Sequence, residues 1–309
     1  MNNIQILELI NQKQLQETEL NSIVYGSIEI REKDNKKYIY THTKEDGLQK
    51  TNYIGEYSDD LYNLILSNNI KAKQIKKNIR EIAKKLKELN YVDEELSIEV
   101  SRNIDFAKKH LVDTIYNQAI LEGVATTLSD TESIIEGGKV NNMSSEDIMK
   151  VVNLKHAWEF ILNKNVILSK TDYNLLCTIN KLVEEGFYYS TGCLRTTTVK
   201  IGGTSWTPAL PIESQIIEEL NLILEKEEED VSKAIDLLLY VVRKQMFIDG
   251  NKRTSVIYAN HYLISKGKGF VVIPFDKVEK YKTLLIKYYE SNNNKEIKEF
   301  IIKECYVEI

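Results

Sequence analysis

Apolar positions recur at helical spacing over most of this chain. The clearest stripe is formed by Val231, Ala234, Ile235, Leu238, Leu239 and Val242. Positions spaced in this way lie on one buried face of a helix. Similar stripes predict helices at 72–89, 95–127, 145–163, 169–185, 211–226, 231–246, 252–266 and 276–290. The pattern therefore predicts a mainly α fold.

The period changes to two near the N-terminus. Between 24 and 56, apolar and polar residues alternate as in strands, and Asp34-Asn35 and Gly47 fit turns between them. Three such strands need a covering helix, because a small sheet is not stable alone. We therefore expect a small α+β module at 1–70, a helical connector at 71–120 and the main helical domain at 121–309, or from about 95 if the connector belongs to it.

The helix predicted at 72–89 has a lysine-rich face opposite its apolar one. Its cationic positions include Lys71, Lys73, Lys76, Lys77, Lys84, Lys85 and Lys87. A solvated helix surface is the favoured interpretation, because Glu81 and Glu88 dilute the charge. Nucleic-acid binding through the N-terminal module is the weaker alternative, since the chain's net charge is −5.

Composition narrows the class of protein. The chain has 309 residues, of which 42% are hydrophobic and 28% charged, as in soluble globular proteins of about two domains. No apolar run of about 18 residues predicts a membrane span, and the first residues do not resemble a signal peptide. The three widely spaced cysteines fit neither a zinc site nor a disulfide framework. We expect a cytoplasmic protein without membrane contact.

The segment after the clearest stripe contains the candidate chemistry. Continuing the apolar face places Gln245 inward, and a turn through Gly250 then opens the next helix. Free N–H groups at such a helix start, with the cations of Lys252 and Arg253, suit an anion such as phosphate. Asp249 could ligate Mg²⁺ that also bridges phosphates. The alternative is a plain helical corner with Asn251 as the N-cap residue.

The stretch QMFIDGNKRT resembles the signature of Fic (Fido) proteins, HxFx(D/E)GN(G/K)R. The matching positions are Phe247, Asp249, Gly250, Asn251 and Arg253, whereas Gln245 stands where the family has histidine. Over about 120–275 the resemblance continues in several ordered segments. They are SIIEG at 133–137, VNLKHAWEFI at 152–161, Leu168-Ser169, GCLR at 192–195, VKIGG at 199–203, and Pro208 with Pro211.

The resemblance implies a Fic-type helical core with a β-hairpin flap, in which 121–140 is an inhibitory-like helix, 195–204 the flap and 245–254 the motif. Such proteins transfer AMP from ATP to a hydroxyl group of a target protein. The family's Mg²⁺ ligand corresponds to Asp249, and its loop anchor to Phe247. Its flap aligns the target by strand addition, here through Thr197, Val199, Ile201 and Gly202. The residues implied to bind the nucleotide are Gly250, Asn251, Lys252 and Arg253, with Thr254 in the same turn.

Two departures from the family pattern bear on activity. Gln245 cannot accept a proton at neutral pH, and loss of a general base costs about 10²–10⁴-fold in rate. His42, His110, His156 and His261 are expected to be surface or core residues rather than substitutes. Val256 replaces a second arginine that in many members pairs with the inhibitory glutamate, which corresponds to Glu136. The NKRT version resembles the death-on-curing branch, whose members phosphorylate.

Three functions therefore remain open. The leading expectation is a nucleotide-binding transferase that modifies a protein hydroxyl with AMP or another phosphate-containing group, using ATP and Mg²⁺ and impaired by Gln245. The second is a catalytically inactive Fic-fold protein that binds a nucleotide or peptide. The third is a hydrolase that removes AMP from a modified target with Glu136. The expected partner is a protein docked by the flap, and a homo-oligomer is compatible with the sequence.

Overall fold

The computed structural model describes residues 2–33, 35–45, 48–89, 91, 95–141 and 143–309. The chain divides into two compact units, Met1–Val92 and Asp93–Ile309. The division expected at 70/71 falls inside a continuous helix, so the first unit extends into the expected connector as far as Val92. The remainder of that connector belongs to the second unit.

The first unit is a three-stranded sheet with two helices. Its elements are α1 (Asn2–Ser22), β1 (Ser27–Lys33), β2 (Lys36–Glu45), β3 (Leu48–Glu56) and α2 (Asp59–Glu88). The strands are antiparallel in the order β1-β2-β3, and Ile30 pairs with Ile39. Asn35 has φ 59° at the first turn, whereas the turn residues Asp34 and Gly47 lie outside the described residues. The expected α+β character of this module is thus present.

Helix α2 is longer than its apolar stripe predicted. Its first turn is capped by Ser58, whose side chain accepts a hydrogen bond from the Leu61 N–H, and such a cap starts a helix. Its buried positions are Ile65, Ala72, Ile75, Ile82 and Leu86. Helix α2 packs against α1, and one of its lysines, Lys71, lies 2.7 Å from Glu19 of α1.

The second unit is helical, as expected. Its helices are α3 (Ile98–Lys109), α4 (Leu111–Leu121), α5 (Leu128–Ile135), α6 (Ser145–Ile161), α7 (Lys164–Ile167), α8 (Tyr173–Val183), α9 (Glu213–Glu225), α10 (Asp230–Lys244), α11 (Asn251–Ser265), α12 (Val278–Ser291) and α13 (Lys295–Glu304). A short ladder joins β4 (Phe270–Val271) to β5 (Tyr306–Val307). The single helix expected at 95–127 is wrong: it breaks at His110, which ends α3 and begins α4.

Helix α11 is the centre of this unit. It packs against α3, α6, α7, α8 and α10, and its residues from Val256 to Ile264 are all buried. This explains why its sequence shows little amphipathicity, since a helix buried on all sides has no polar face. None of the helices in the described part of the chain is long and apolar enough to cross a bilayer.

The flap expected at 195–204 does not form a β-hairpin. No residue from Leu194 to Ile212 lies in a strand, and Gly202 forms a turn within an exposed loop. Backbone carbonyls that would pair in a hairpin accept hydrogen bonds from a side chain instead. The Arg195 guanidinium donates to the carbonyl oxygens of Thr197 and Ala209. Thr197 and Gly202 are exposed and Val199 and Ile201 half-buried, so alternation along this segment reflects partial packing rather than a ladder.

Candidate functional site

The loop between α10 and α11 is held in shape by its own side chains. The Phe247 side chain is 1% exposed, so this residue of the loop lies in the core. The Asn251 carboxamide accepts a hydrogen bond from the Phe247 N–H (3.0 Å) and donates one to the Phe247 carbonyl (2.9 Å). The Asn251 side chain therefore closes the loop rather than extending toward a ligand, and only its backbone N–H is available at the helix start.

The start of α11 has the properties of an anion site. Gly250 precedes the helix with φ 71°, and no side chain caps the first turn. The first backbone N–H groups of a helix have no intrahelical acceptor and attract negative charge. A Cβ at Gly250 would overlap the Glu184 carboxylate. Glycine is thus required both by the left-handed backbone and by this close approach.

Arg253 is the buried cation of the site. Its side chain is 2% exposed and lies among three carboxylates. Nη2 is 2.7 Å from Glu184 Oε1 and 3.8 Å from Asp249 Oδ1, and Nε is 3.9 Å from Glu122 Oε2. Lys252 Nζ is 3.4 Å from the same Glu122 oxygen. Two cations thus face three acidic side chains around the first turn of α11.

This buried cluster is incompletely hydrogen-bonded. Arg253 Nε and Nη1, both Glu184 oxygens and Glu122 Oε1 are buried without a hydrogen-bond partner. The contact between Arg253 and Glu184 is short enough for a hydrogen bond but lacks its alignment, so it acts as an ion pair. Burial raises the pKa of Glu184 to about 7, although the positive charge of Arg253 opposes the rise. Unpaired buried donors are rare in proteins, and those of Arg253 are groups that a ligand or an ordered water can satisfy.

Asp249 and Thr254 differ in accessibility. The Asp249 side chain is 51% exposed, and its Oδ1 accepts from the Gly250 N–H at 2.7 Å. Thr254 is fully buried, and its hydroxyl accepts a hydrogen bond from the Asn180 amide, which also donates to the Asp249 carbonyl. Asp249 can therefore meet a ligand, whereas Thr254 holds the loop against α8.

Gln245 is used as a helix cap. It ends α10 in the left-handed conformation, with φ 47°. Its Nε2 donates to the Val242 carbonyl at 2.7 Å and lies 3.5 Å from the Tyr289 hydroxyl. Arg195 Nε donates to the Gln245 carbonyl at 2.6 Å. The Gln245 side chain is half-buried, as the stripe predicted. Its amide, however, hydrogen-bonds the Val242 carbonyl in α10 and not a group of the loop.

Glu136 is not among the acidic partners of Arg253. It is exposed at the end of α5, and its carboxylate makes no ion pair with a described residue. Val256, which replaces the family's second arginine, is buried. The acidic residues that do face Arg253, Glu122 and Glu184, were missed by sequence reasoning. The available signal was Asn180 and Glu184, two polar residues one turn apart beside the apolar face at the end of α8.

Both ring nitrogens of His261 and of His42 are hydrogen-bonded to other groups of the protein, so neither histidine is free to act as a substitute base. His261 is fully buried, with Nδ1 2.9 Å from the Thr171 hydroxyl and Nε2 2.8 Å from the Val166 carbonyl. Burial lowers its pKa to about 4. His42 lies in the sheet of the first unit, 2.7 Å from Glu29. His261 and His42 are therefore structural residues.

The described residues contain no group of three or more histidine, cysteine or acidic side chains arranged to hold a metal ion alone. Mg²⁺, however, is commonly bound by one or two carboxylates together with phosphate oxygens and water. The exposed carboxylate of Asp249 beside the unpaired donors of Arg253 fits that type of site. The residues present are thus compatible with Mg²⁺ brought by a phosphate ligand.

Comparison with known proteins identifies the segment that contains the loop. Residues 170–263, which include the loop and both flanking helices, match the Fic/DOC family. The match covers α8 through most of α11, the helices that surround Arg253. No curated protein matches the sequence significantly.

Solved structures of Fic proteins share the fold. A Fic domain containing signaling protein from Bacteroides thetaiotaomicron is 20% identical, with a TM-score of 0.51 over 62% of this chain and 75% of that one. A Fic-1 fragment from C. elegans is 18% identical, with a TM-score of 0.54 over 79% and 74%. A Fic family protein from Desulfovibrio desulfuricans is 15% identical, with a TM-score of 0.53 over 68% and 73%.

Proposed function

From a fold of the Fic type and a Fic/DOC match that includes the α10–α11 loop, we propose that this protein binds ATP with Mg²⁺ and transfers AMP to a hydroxyl group of a target protein. The observation that carries the proposal is Arg253: a buried guanidinium with two unpaired nitrogens at an uncapped helix start. Phosphate oxygens satisfy both features at once, because they accept from guanidinium and backbone N–H groups together.

Each residue of the loop has a defined part in this proposal. Arg253 and the first N–H groups of α11 hold the phosphates, and Gly250 permits their close approach to the backbone. Lys252 adds a half-exposed cation, and Asp249 holds Mg²⁺. When bound, Mg²⁺ neutralises phosphate charge and orients the phosphates. The exposed flap at 196–203 presents backbone groups to the target, which would supply the strand partner that the flap lacks here.

In AMP transfer the target's hydroxyl oxygen bonds to the α-phosphorus, and the bond from that phosphorus to the bridging oxygen breaks. Pyrophosphate leaves, and the hydroxyl proton must be taken up. Gln245 cannot take it, so the proton passes to water. Absence of a positioned base lowers the rate by about 10²–10⁴-fold relative to a complete site. The expected activity is therefore slow transfer, not none.

A nucleotide-binding protein without transfer is the second candidate. The observation that favours it is the Gln245 amide, which donates to the Val242 carbonyl at 2.7 Å and so serves α10. In this function the same phosphate contacts are used, but no group is transferred. The hydrolase that uses Glu136 has no comparable support, because Arg253 is paired with other carboxylates.

ATP binding is tested first. Millimolar ATP with Mg²⁺ should raise the melting temperature, because a ligand at 100 times its Kd stabilises the folded state by about 2.7 kcal/mol. Asp249→Asn should weaken the part of the shift that requires Mg²⁺. The matched control is Asp105→Asn, at an exposed position of α3. No shift with any nucleoside triphosphate would exclude both candidate functions.

Transfer is tested with ATP labelled on either the α- or the γ-phosphate. Gln245→His should increase label incorporation into the protein or a lysate by about 10²-fold. Gain of α-label identifies AMP transfer, and gain of γ-label alone identifies phosphorylation. ATP binding without a gain in either label would leave the binding protein as the function.

A further inference from the structure

The first unit carries a basic face on α2 that the proposed function does not use. Residues 71–87 contain eight lysines and arginines but only one acidic residue, in a chain whose net charge is −5. Lys73, Lys76, Lys77 and Arg80 are spaced as i, i+3, i+4 and i+7, so they lie on one side of the helix. All four side chains are exposed, unlike the five buried positions of α2.

These four cations line a cleft. Its opposite wall is the segment Tyr25 to Ser27, and the cleft encloses about 730 Å³. The wall is fixed to α2 by Asn69, whose side chain accepts from the Gly26 N–H at 2.7 Å and donates to the Gly26 carbonyl at 3.0 Å. These hydrogen bonds to the Gly26 backbone therefore help to fix the shape of the cleft.

The charges in the cleft are not neutralised by the protein. Lys73 and Arg80 make no ion pair with a described residue. Lys77 is 3.8 Å from Glu81, and both side chains are at least 60% exposed, so their attraction is weak. Lys76 Nζ lies 4.5 Å from the centre of the Tyr25 ring. A cation held over an aromatic ring keeps its charge and its capacity to bind an anion.

We propose that this cleft binds the phosphodiester backbone of a nucleic acid. Four cations along about 10 Å of rigid helix, at 1.5 Å per residue, suit a polymer that presents a negative charge at each repeat. Tyr25 at the edge adds a ring on which a base can stack, as in single-strand binding clefts. A bilayer surface is flat on this scale and would reach only the rim. The binding contacts are to backbone phosphates, so no sequence preference follows.

The experiment measures anisotropy of a labelled 20-nucleotide strand with the full chain at 50 mM salt, using DNA, RNA and duplex DNA in separate arms. The test variant combines Lys73→Glu, Lys76→Glu and Arg80→Glu. The matched control combines Lys266→Glu, Lys268→Glu and Lys303→Glu, which are exposed lysines of the second unit. We expect the test variant to raise Kd more than 10-fold and the control to change it less than 2-fold. The arm that binds most tightly identifies DNA or RNA as the source of the phosphates.

Salt dependence supplies a second readout. The slope of log K against log salt should become shallower by about 2 in the test variant, since each lost phosphate contact removes about 0.7 for a single strand. Unfolding midpoints of all variants check that they fold, and Lys73→Gln with Arg80→Gln is the milder pair. The proposal is overturned by absence of binding at 50 mM salt, by equal losses in test and control variants, or by polyglutamate competing as well as nucleic acid. The last result would identify an acidic protein as the ligand.

Discussion

The Arg253 guanidinium and the Glu184 carboxylate lie 2.7 Å apart, and their side chains are only 2% and 1% exposed. Neither residue completes its hydrogen bonding within the protein. Removing one partner of such a pair leaves an uncompensated buried charge, whereas a bound anion can share the guanidinium. A phosphate bound as proposed at the start of α11 would therefore lie beside Glu184.

The first prediction concerns pH and Glu184. Its pKa in the folded protein is raised from 4.5 to about 7, so the folded state holds a proton that the unfolded state releases. This contribution to the free energy of unfolding is complete below about pH 4.5 and is lost as pH rises through about 7. The pKa difference corresponds to about 3 kcal/mol. Glu184→Gln should remove this loss, measured by urea unfolding at several pH values.

The control for this measurement is Glu225→Gln, at the exposed end of α9. His261 acts in the opposite direction: its pKa is lowered to about 4 by burial, so its contribution is present above pH 6.5 and lost as pH falls toward 4. Comparison with the wild-type protein at each pH cancels the His261 effect. A Glu184→Gln profile parallel to that of the wild type would show that the Glu184 pKa is not raised.

The second prediction concerns Gly250. Gly250→Ala should destabilise the protein by about 2 kcal/mol or more, because φ is 71° and the new Cβ overlaps Glu184. Adding Glu184→Ala should make the double variant more stable than the sum of the single changes predicts, since it removes the overlap. Chemical denaturation of the four proteins in the cycle measures this. Strict additivity would mean that backbone strain alone accounts for the cost.

The third prediction concerns Asn251. Asn251→Ala removes both hydrogen bonds to Phe247 and leaves its buried N–H and carbonyl unpaired, at a cost of about 2–3 kcal/mol. Asn221→Ala, at an exposed position of α9, should change stability by less than about 0.5 kcal/mol. Thermal unfolding compares the two variants. If both variants changed stability equally little, water would have replaced the Asn251 carboxamide as the hydrogen-bond partner of the Phe247 backbone.

The fourth prediction concerns the flap. Amides at 196–203 should exchange with deuterium much faster than those of α10, because they lie in an exposed loop without ladder partners. Arg195, which is 4% exposed and donates to the Gln245 carbonyl at 2.6 Å, should limit the fast region to the residues after it. Protection of the flap equal to that of α10 without a target would argue against docking by strand addition.

Much of the second unit follows from sequence alone. Helices α6, α8, α10, α11 and α12 begin and end within a few residues of their predicted bounds, because their apolar residues recur at helical spacing. The loop after α10 can also be predicted from the sequence. Gly250 and the start of α11 are local features, and the motif residues are consecutive. The Fic resemblance depends on the same short segments.

Other features depend on tertiary structure. The flap segment pairs with no strand among the described residues, so its alternating residues did not predict its conformation. The sequence and the structure both place Gln245 inward. Only the structure shows that its side chain contacts the Val242 carbonyl and the Tyr289 hydroxyl and so caps α10. Glu122 and Glu184 lie far from Arg253 along the chain, and neither has a local pattern that marks it as a partner. Local periodicity determines which face of a helix is buried, whereas the packing of α8 and α4 around α11 determines which charges meet there.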